Sequence, residues 1–154
     1  MHGAGCCENG KSLMEMTASR LNGRVAPVFE GGVSCHELAE AIVRGGYGGI
    51  PIVNRECVLI GIVTEYDLLN AILTGKAMAE TRATEVMTEP SISITEEMTI
   101  EEVIALFQSR HLIRVPVVSS GGRVIGIVER KDILACYVES TLGLPPSSDT
   151  VRNG

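Results

Sequence analysis

The sequence has no tryptophan, and only three tyrosines and two phenylalanines among its 154 residues. It also has no excess of positive charge, because 13 lysines and arginines face 19 aspartates and glutamates, a formal net charge of -6 at pH 7. Nucleic acids and anionic membrane surfaces bind basic faces, so neither is expected as a partner. The longest apolar run, V-L-I-G-I-V at residues 58–63, is far too short to cross a bilayer.

Signals for secretion, disulfides and catalysis are equally sparse. The N-terminus has neither the basic patch nor the apolar core of a secretory signal, so we expect a cytoplasmic location. The five cysteines show no C-x-x-C spacing and are expected to be free thiols. A metal or redox role for His2, Cys6 and Cys7 is an open alternative to a disordered start. The scattered histidines have no convincing nucleophile or base beside them, so an enzyme is not expected.

What the chain does contain is a tandem repeat. Shifted by 65 residues, the sequence aligns with itself without a gap, so that I50-P-I-V53 meets V115-P-V-V118 and G61-I-V-T-E-Y-D67 meets G126-I-V-E-R-K-D132. S34-C-H-E37 meets T99-I-E-E102, and each is a capping box that begins a helix. Helix starts duplicated at matched positions indicate two copies of one structural unit.

Each copy predicts the order strand, helix, strand, strand, helix from its apolar spacing and its turn residues. The strands are expected at 28–29, 50–53 and 58–63 and at 92–94, 115–118 and 123–128; the helices are expected at 34–43 and 65–73 and at 99–108 and 130–139. The fold class is therefore α/β (α+β), with two tandem βαββα units. Because the strands are apolar throughout, the units should pack sheet to sheet by pseudo-two-fold symmetry.

The expected domain boundaries follow from the repeat. A flexible N-terminal tail covers residues 1–15, and the first unit covers 16–80. The second unit covers 81–142, and a flexible C-terminal tail covers 143–154. A unit of about sixty residues buries too little surface to be stable alone, so the two should share a core with a cleft at their junction.

The recurring glycine, threonine and aspartate have two interpretations. In the first, Thr64 caps a helix and Asp67 sits in its first turn, where an acid gains about 0.3–1 kcal/mol from the helix dipole. In the second, Thr64 and the helix N-terminus bind a phosphate, Asp67 accepts the hydroxyls of a ribose, and Gly61 lets the ligand approach the backbone. The apolar cleft would then hold a flat base.

On these motifs the two units resemble the CBS domain, and the pair resembles a CBS pair, or Bateman module, over about residues 16–142. The resemblance implies a module that binds adenosine ligands, usually AMP, ADP, ATP or S-adenosylmethionine, and that forms a flat homodimer. Residues 61–67 match the family's Gly-hydrophobic-x-Thr/Ser-x-x-Asp pattern fully. Residues 126–132 depart from it at Glu129, so the resemblance leaves the function of the second site, with Asp132, open.

The resemblance also implies that Arg114 and Lys131 reach across to phosphates in the first unit's site, where the first unit itself has Gly49 and Tyr66. Glu129 should repel a phosphate from the second site unless Arg130 folds back to neutralise it, and Glu129→Thr should create or strengthen a second phosphate site. The expected ligand-binding residues are Ile50, Pro51, Gly61, Thr64, Asp67, Arg114, Val115, Pro116, Lys131 and Asp132.

The function expected from the sequence is a stand-alone regulatory module. It binds an adenosine ligand between its units and signals the occupancy of this site to a regulated protein that the sequence does not identify. The expected ligand is AMP, ADP or ATP, with S-adenosylmethionine as the alternative. It requires no cofactor and no metal. The alternative is a dimerisation or adaptor module with degenerate sites that bind nothing.

Overall fold

The computed structural model describes residues 7–8, 11–21, 27–89 and 92–142. In chain order its elements are β1 (Cys7–Glu8), β2 (Lys11–Ser12), β3 (Phe29–Glu30), α1 (Cys35–Gly45), β4 (Gly49–Val53), β5 (Leu59–Thr64), α2 (Glu65–Leu73), α3 (Ala83–Val86), α4 (Ile100–Arg110), β6 (Arg114–Val118), β7 (Val124–Glu129) and α5 (Arg130–Leu142). Two short 3-10 turns lie at Leu13–Glu15 and Ala18–Leu21.

The two repeats form two small sheets, and the expected fold class is confirmed. In the first unit β4 lies between β3, which runs parallel to it, and β5, which runs antiparallel. In the second unit β6 pairs antiparallel with β7, and the expected strand at 92–94 is reduced to a single parallel bridge between Ile94 and Val117. The register shifts at the same point in both hairpins, after Ile52 and after Val117.

Helix ends are fixed by the residues that the repeat places there. The Thr99 hydroxyl accepts the Glu102 N–H at 3.1 Å, and the Glu102 carboxylate accepts the Thr99 N–H at 2.9 Å. These hydrogen bonds, that from the Thr99 backbone first, lower the pKa of the Glu102 carboxyl. Both first helices end in a left-handed residue, Gly46 with φ 68° and His111 with φ 53°.

Equivalent positions of the two units meet each other. The backbone N–H of Leu59 donates to Gly122 O at 3.1 Å, and that of Val124 donates to Cys57 O at 3.2 Å. These bonds exchange under the 65-residue shift, as expected for groups on either side of a two-fold axis. Ile62 and Ile127, which are also equivalent, form a small buried cluster of their own. The units therefore pack by pseudo-two-fold symmetry with their sheets in contact.

Two equivalent segments, 13–21 and 78–86, cross between the units. The first packs on the second unit, and the second packs on the first unit. Ile100 N–H donates to Met16 O at 2.8 Å, and at the equivalent positions Cys35 N–H donates to Thr81 O at 2.8 Å. One core cluster accordingly joins residues of the segment 13–21 to the second unit, and the other joins Ala83 to the first. Leu13, in the stretch expected to be a flexible tail, is buried in this core.

Three cysteines have described side chains, and none of the three is in a disulfide: Cys35, Cys57 and Cys136. Cys35 is fully buried in the first core, and its burial raises the pKa of the thiol. The candidate group of His2, Cys6 and Cys7 lies outside the described side chains. Within the described residues no cluster of histidine, cysteine, aspartate and glutamate could hold a metal ion. None of the described helices combines the length and apolar character needed to span a membrane.

Candidate functional site

A cleft of about 520 Å³ opens between the two units. Its wall from the first unit and the following linker consists of Gly48, Ile62, Thr64, Glu65, Tyr66, Thr88 and Glu89. Its wall from the second unit consists of Ile92, His111, Leu112, Ile113, Arg114, Val115 and Pro116. Such a volume is in the range of small-molecule sites. Apolar walls that also carry the hydroxyls of Thr64 and Thr88 and the guanidinium of Arg114 suit a flat, partly polar ligand.

Two hydroxyls in the cleft are oriented by one carboxylate behind them. Asp67 Oδ2 accepts the Thr64 N–H at 2.9 Å and the Thr64 hydroxyl at 3.0 Å. Its other oxygen accepts the Thr88 hydroxyl at 3.4 Å. Thr64 in turn caps α2 by accepting the Asp67 N–H at 3.2 Å. Asp67 therefore acts first as a capping and positioning group, and the ribose contact expected for it stays a prediction.

The opposite wall presents Arg114, which lies over two glycines of the first unit. A Cβ at Gly48 would be 2.9 Å from Arg114 Cζ, and a Cβ at Gly49 would be 3.1 Å from Arg114 Cδ. The same Cβ at Gly49 would be 3.4 Å from Thr64 Cγ2. The two glycines thus let Arg114 and Thr64 approach each other across the cleft mouth. Any side chain at Gly48 would displace the guanidinium.

Arg114 is engaged by a carboxylate of its own hairpin. Its cross-strand partner is Glu129, and Arg114 Nε lies 3.4 Å from Glu129 Oε2, with both side chains only 16% exposed. Lys131 Nζ lies 3.5 Å from the other oxygen, Glu129 Oε1. Arg130, the alternative partner of Glu129, donates its Nε–H to Leu112 O at 2.6 Å. The two cations expected for a phosphate share Glu129.

The pseudo-symmetric counterpart of the cleft is only partly closed, because an open cavity of about 420 Å³ remains there, lined by Gly46, Tyr47, Gly48, Glu129 and Lys131 together with Glu65 and Arg114. The space between Tyr47, Gly48, Gly49, Ile127, Glu129 and Asp132 is too small for a water molecule. The Tyr47 ring folds back over Gly45, where a Cβ would be 3.1 Å from Tyr47 Cζ. Asp132 is 4% exposed and accepts the Glu129 N–H at 2.7 Å. Glu129 lines both this closed space and the open cavity, so the second phosphate site expected from Glu129→Thr stays a prediction.

The expected site residues therefore separate into two groups. Four of them line the open cleft together: Thr64, Arg114, Val115 and Pro116. The other six, Ile50, Pro51, Gly61, Asp67, Lys131 and Asp132, lie outside its lining. Ile50 and Pro51 are fully buried in β4. The room at Gly61, expected to admit a ligand, is taken by Met87, since a Cβ there would be 2.8 Å from Met87 Cγ.

Several lining residues were not anticipated from the sequence. Thr88 and Glu89 reach the cleft because the linker pairs with β5, where the N–H groups of Ile62 and Thr88 each donate to the other's carbonyl at 2.9 Å. No repeat position marks them. Tyr47 could have been noticed, because it is flanked by G45-G46 and G48-G49 and aligns with Leu112. A large aromatic ring flanked by four glycines indicates that the ring occupies space that side chains at the glycine positions would otherwise fill.

A family model for the CBS domain matches residues 22–74 and 83–139, most of the chain and both repeats. The chain belongs to the CBS domain family. A relative from Methanopyrus kandleri, the uncharacterized protein MK0525, is 36% identical to this chain over 99 residues, which are 64% of this chain. The chain spans 50% of that relative's length.

Two solved CBS structures show the same fold. CBSX2, solved in complex with AMP, gives a TM-score of 0.70 at 22% identity, covering 80% of this chain and 97% of that one. The CBS pair of protein MJ0100, solved with 5′-methylthioadenosine and S-adenosyl-L-methionine, gives a TM-score of 0.69 at 25% identity, covering 79% and 99%. The recognition of a CBS pair is therefore confirmed.

Proposed function

We propose that this chain is a regulatory CBS pair that binds one adenosine ligand in the open cleft and signals its occupancy to a partner protein. The observation that carries the proposal is the cleft of about 520 Å³ with Thr64 and Arg114 on facing walls. Two structural neighbours bind adenosine compounds, AMP in one case and 5′-methylthioadenosine with S-adenosylmethionine in the other. The candidate ligands are AMP, ADP, ATP and S-adenosylmethionine.

We assign a part of the ligand to each wall. The apolar side chains of Ile62, Val115 and Pro116 offer a slot for the base. The hydroxyls of Thr64 and Thr88 lie at the α2 end, where a ribose or its 5′ substituent would meet the helix N-terminus. Asp67 holds both hydroxyls and can accept further hydrogen bonds from ribose. The chain would need no cofactor and would catalyse no reaction.

The alternative function is a dimerisation or adaptor module that binds no nucleotide. Two observations favour it: the lack of room at Ile127 and Asp132 of the second unit, and the engagement of Arg114 and Lys131 by Glu129. The open first cleft favours ligand binding. The two functions differ in what a ligand does to stability.

A thermal-unfolding panel decides between them. AMP, ADP, ATP, S-adenosylmethionine and 5′-methylthioadenosine are each added at increasing concentration, with guanosine as a matched non-adenosine control. At 100 times its dissociation constant a ligand adds about 2.7 kcal/mol of stability, so at least one adenosine compound should raise the melting temperature by several degrees. If all five leave it unchanged at millimolar concentration, the adaptor function is correct.

We further propose that the module is a homodimer built on its second helices. Leu69, Ile72 and Leu73 on α2, and Leu134 and Tyr137 on α5, are each more than half exposed. Leu69 aligns with Leu134 and Ile72 with Tyr137, so the pseudo-two-fold axis places matching apolar faces on both units. A second copy of the chain can cover both faces at once across its own two-fold axis.

Sedimentation velocity tests this arrangement. The unmodified chain should sediment as a dimer, and Leu69→Glu combined with Leu134→Glu should give a folded monomer, because two carboxylates cannot be buried at the interface. Met14→Glu changes a partly exposed methionine that belongs to neither helix; it serves as the control and should stay dimeric. A monomer for the unmodified chain at micromolar concentration would contradict the proposal.

A further inference from the structure

The charges around the open cleft are predominantly negative. Arg114 is the one side chain in the described lining that is always cationic, whereas Glu65 and Glu89 are both carboxylates. His111 also lines the cleft and is cationic only when protonated. Two further carboxylates lie behind the lining: Asp67, which accepts the Thr64 hydroxyl, and Glu129, which pairs with Arg114 and Lys131. A ligand in this cleft therefore meets more carboxylates than cations.

Arg114 is also engaged in an ion pair, which reduces its attraction for a ligand. Arg114 Nε faces Glu129 Oε2 at 3.4 Å, and the pair is largely shielded from water because each side chain is 16% exposed. Shielded charges interact more strongly than surface pairs, so Glu129 cancels much of the attraction that Arg114 offers a phosphate. In the first unit the same cross-strand position pairs Gly49 with Thr64, which carry no charge.

The N-terminus of α2 is similarly reduced as an anion site. The first residue of the helix, Glu65, lines the cleft, and its N–H donates to Gly48 O at 3.2 Å. The Asp67 N–H is taken by the Thr64 hydroxyl at 3.2 Å. The negative charge of Glu65 opposes the positive end of the helix dipole at the place where a phosphate would bind.

We infer that this cleft selects adenosine compounds whose 5′ substituent is uncharged or positively charged. It discriminates against nucleotides, and the discrimination increases with each added phosphate. Glu129 is the principal determinant of this selection. The inference rests on the proposed adenosine-binding function and narrows its ligand class. A thioether or sulfonium substituent meets no repulsion from Glu65 and Glu129. A phosphate must compete with Glu129 for Arg114.

Calorimetric titrations with matched ligands test the inference. 5′-Methylthioadenosine is uncharged, S-adenosylmethionine carries a sulfonium cation, and AMP, ADP and ATP carry increasing negative charge on the same nucleoside. At pH 8, where imidazoles are neutral, 5′-methylthioadenosine should bind at least about tenfold more tightly than AMP, and AMP more tightly than ATP. The gap should narrow as salt is added, because screening weakens the repulsion.

The variant Glu129→Gln isolates the determinant. It keeps the shape of the side chain, removes its charge and releases Arg114 and Lys131, so AMP affinity should rise about tenfold while 5′-methylthioadenosine affinity changes by less than about twofold. Glu56→Gln, in the exposed turn between β4 and β5, removes an equal charge outside the cleft lining and should change neither affinity. Glu65→Gln provides a second test should Glu129→Gln fold poorly, with a smaller gain for AMP.

The outcomes separate this inference from the function on which it rests. If AMP or ATP binds the unmodified chain as tightly as 5′-methylthioadenosine, or if Glu129→Gln and Glu65→Gln leave AMP affinity unchanged, the charge selection is wrong although the adenosine site stands. If none of the five adenosine compounds binds, the proposed function itself fails. Tight binding of 5′-methylthioadenosine or S-adenosylmethionine, with weak binding of ATP, supports both.

Discussion

Thr64→Glu is expected to weaken AMP binding by more than a hundredfold. The substitution removes a cleft hydroxyl and places a carboxylate at the α2 N-terminus, beside Glu65. Two unit charges about 5 Å apart at an effective dielectric constant near 20 repel by about 3 kcal/mol, which corresponds to more than a factor of one hundred in affinity. The longer side chain also intrudes on the cleft, so 5′-methylthioadenosine should lose affinity too.

Thr99→Glu is a matched control for that variant. Thr99 caps α4 with the same reciprocal hydrogen bonds that Thr64 makes at α2, but it is outside the cleft lining. Both variants should lose a comparable capping contribution of about 1 kcal/mol in urea denaturation. Only Thr64→Glu should lose the ligand. Equal ligand affinities in the two variants would show that Thr64 serves only as a helix cap.

Leu21→Ala is expected to destabilise the protein by about 2–4 kcal/mol, the usual cost of truncating a fully packed leucine. Leu21 is 4% exposed in a core that it shares with Ile94, Ile100 and Val103 of the second unit. Met14→Ala, in the same segment but 36% exposed, should cost less than about 0.5 kcal/mol. Urea denaturation measures both values.

Hydrogen exchange on Leu21→Ala locates the damage. Because the segment 13–21 packs on the second unit, amide protection should fall first in α4 and persist in α1. Early loss of protection in α1 would mean that the segment belongs with the unit it precedes in the chain.

The repeat predicted most of the fold because it encodes local structure twice. The N-cap at Ser34, the capping box at Thr99 and the apolar hairpins at 50–63 and 115–128 determine where helices begin and which strands pair. The crossing of the segments 13–21 and 78–86 could not be predicted in this way. The two segments are equivalent under the repeat, so their apolar residues fit either unit and the sequence pattern does not distinguish the two arrangements.

The site was predicted less completely, for a different reason. The motif G-x-x-T-x-x-D singles out Thr64, which lines the cleft, but what faces Thr64 depends on contacts between distant residues. The pairing of Arg114 with Glu129 follows from cross-strand register, and the position of the Tyr47 ring follows from the room left at Gly45. The proposed number and charge of the ligands depend on both, and neither is visible in a motif read one unit at a time.

The number of adenosine ligands bound per chain tests the central claim most directly. Native mass spectrometry of the unmodified protein, with 5′-methylthioadenosine or AMP added well above the dissociation constant, counts them without assuming a model. The open cleft beside Thr64, and the engagement of Arg114 and Lys131 by Glu129 in the second unit, predict one ligand per chain. Two ligands per chain, or none at saturating concentrations, would contradict the account.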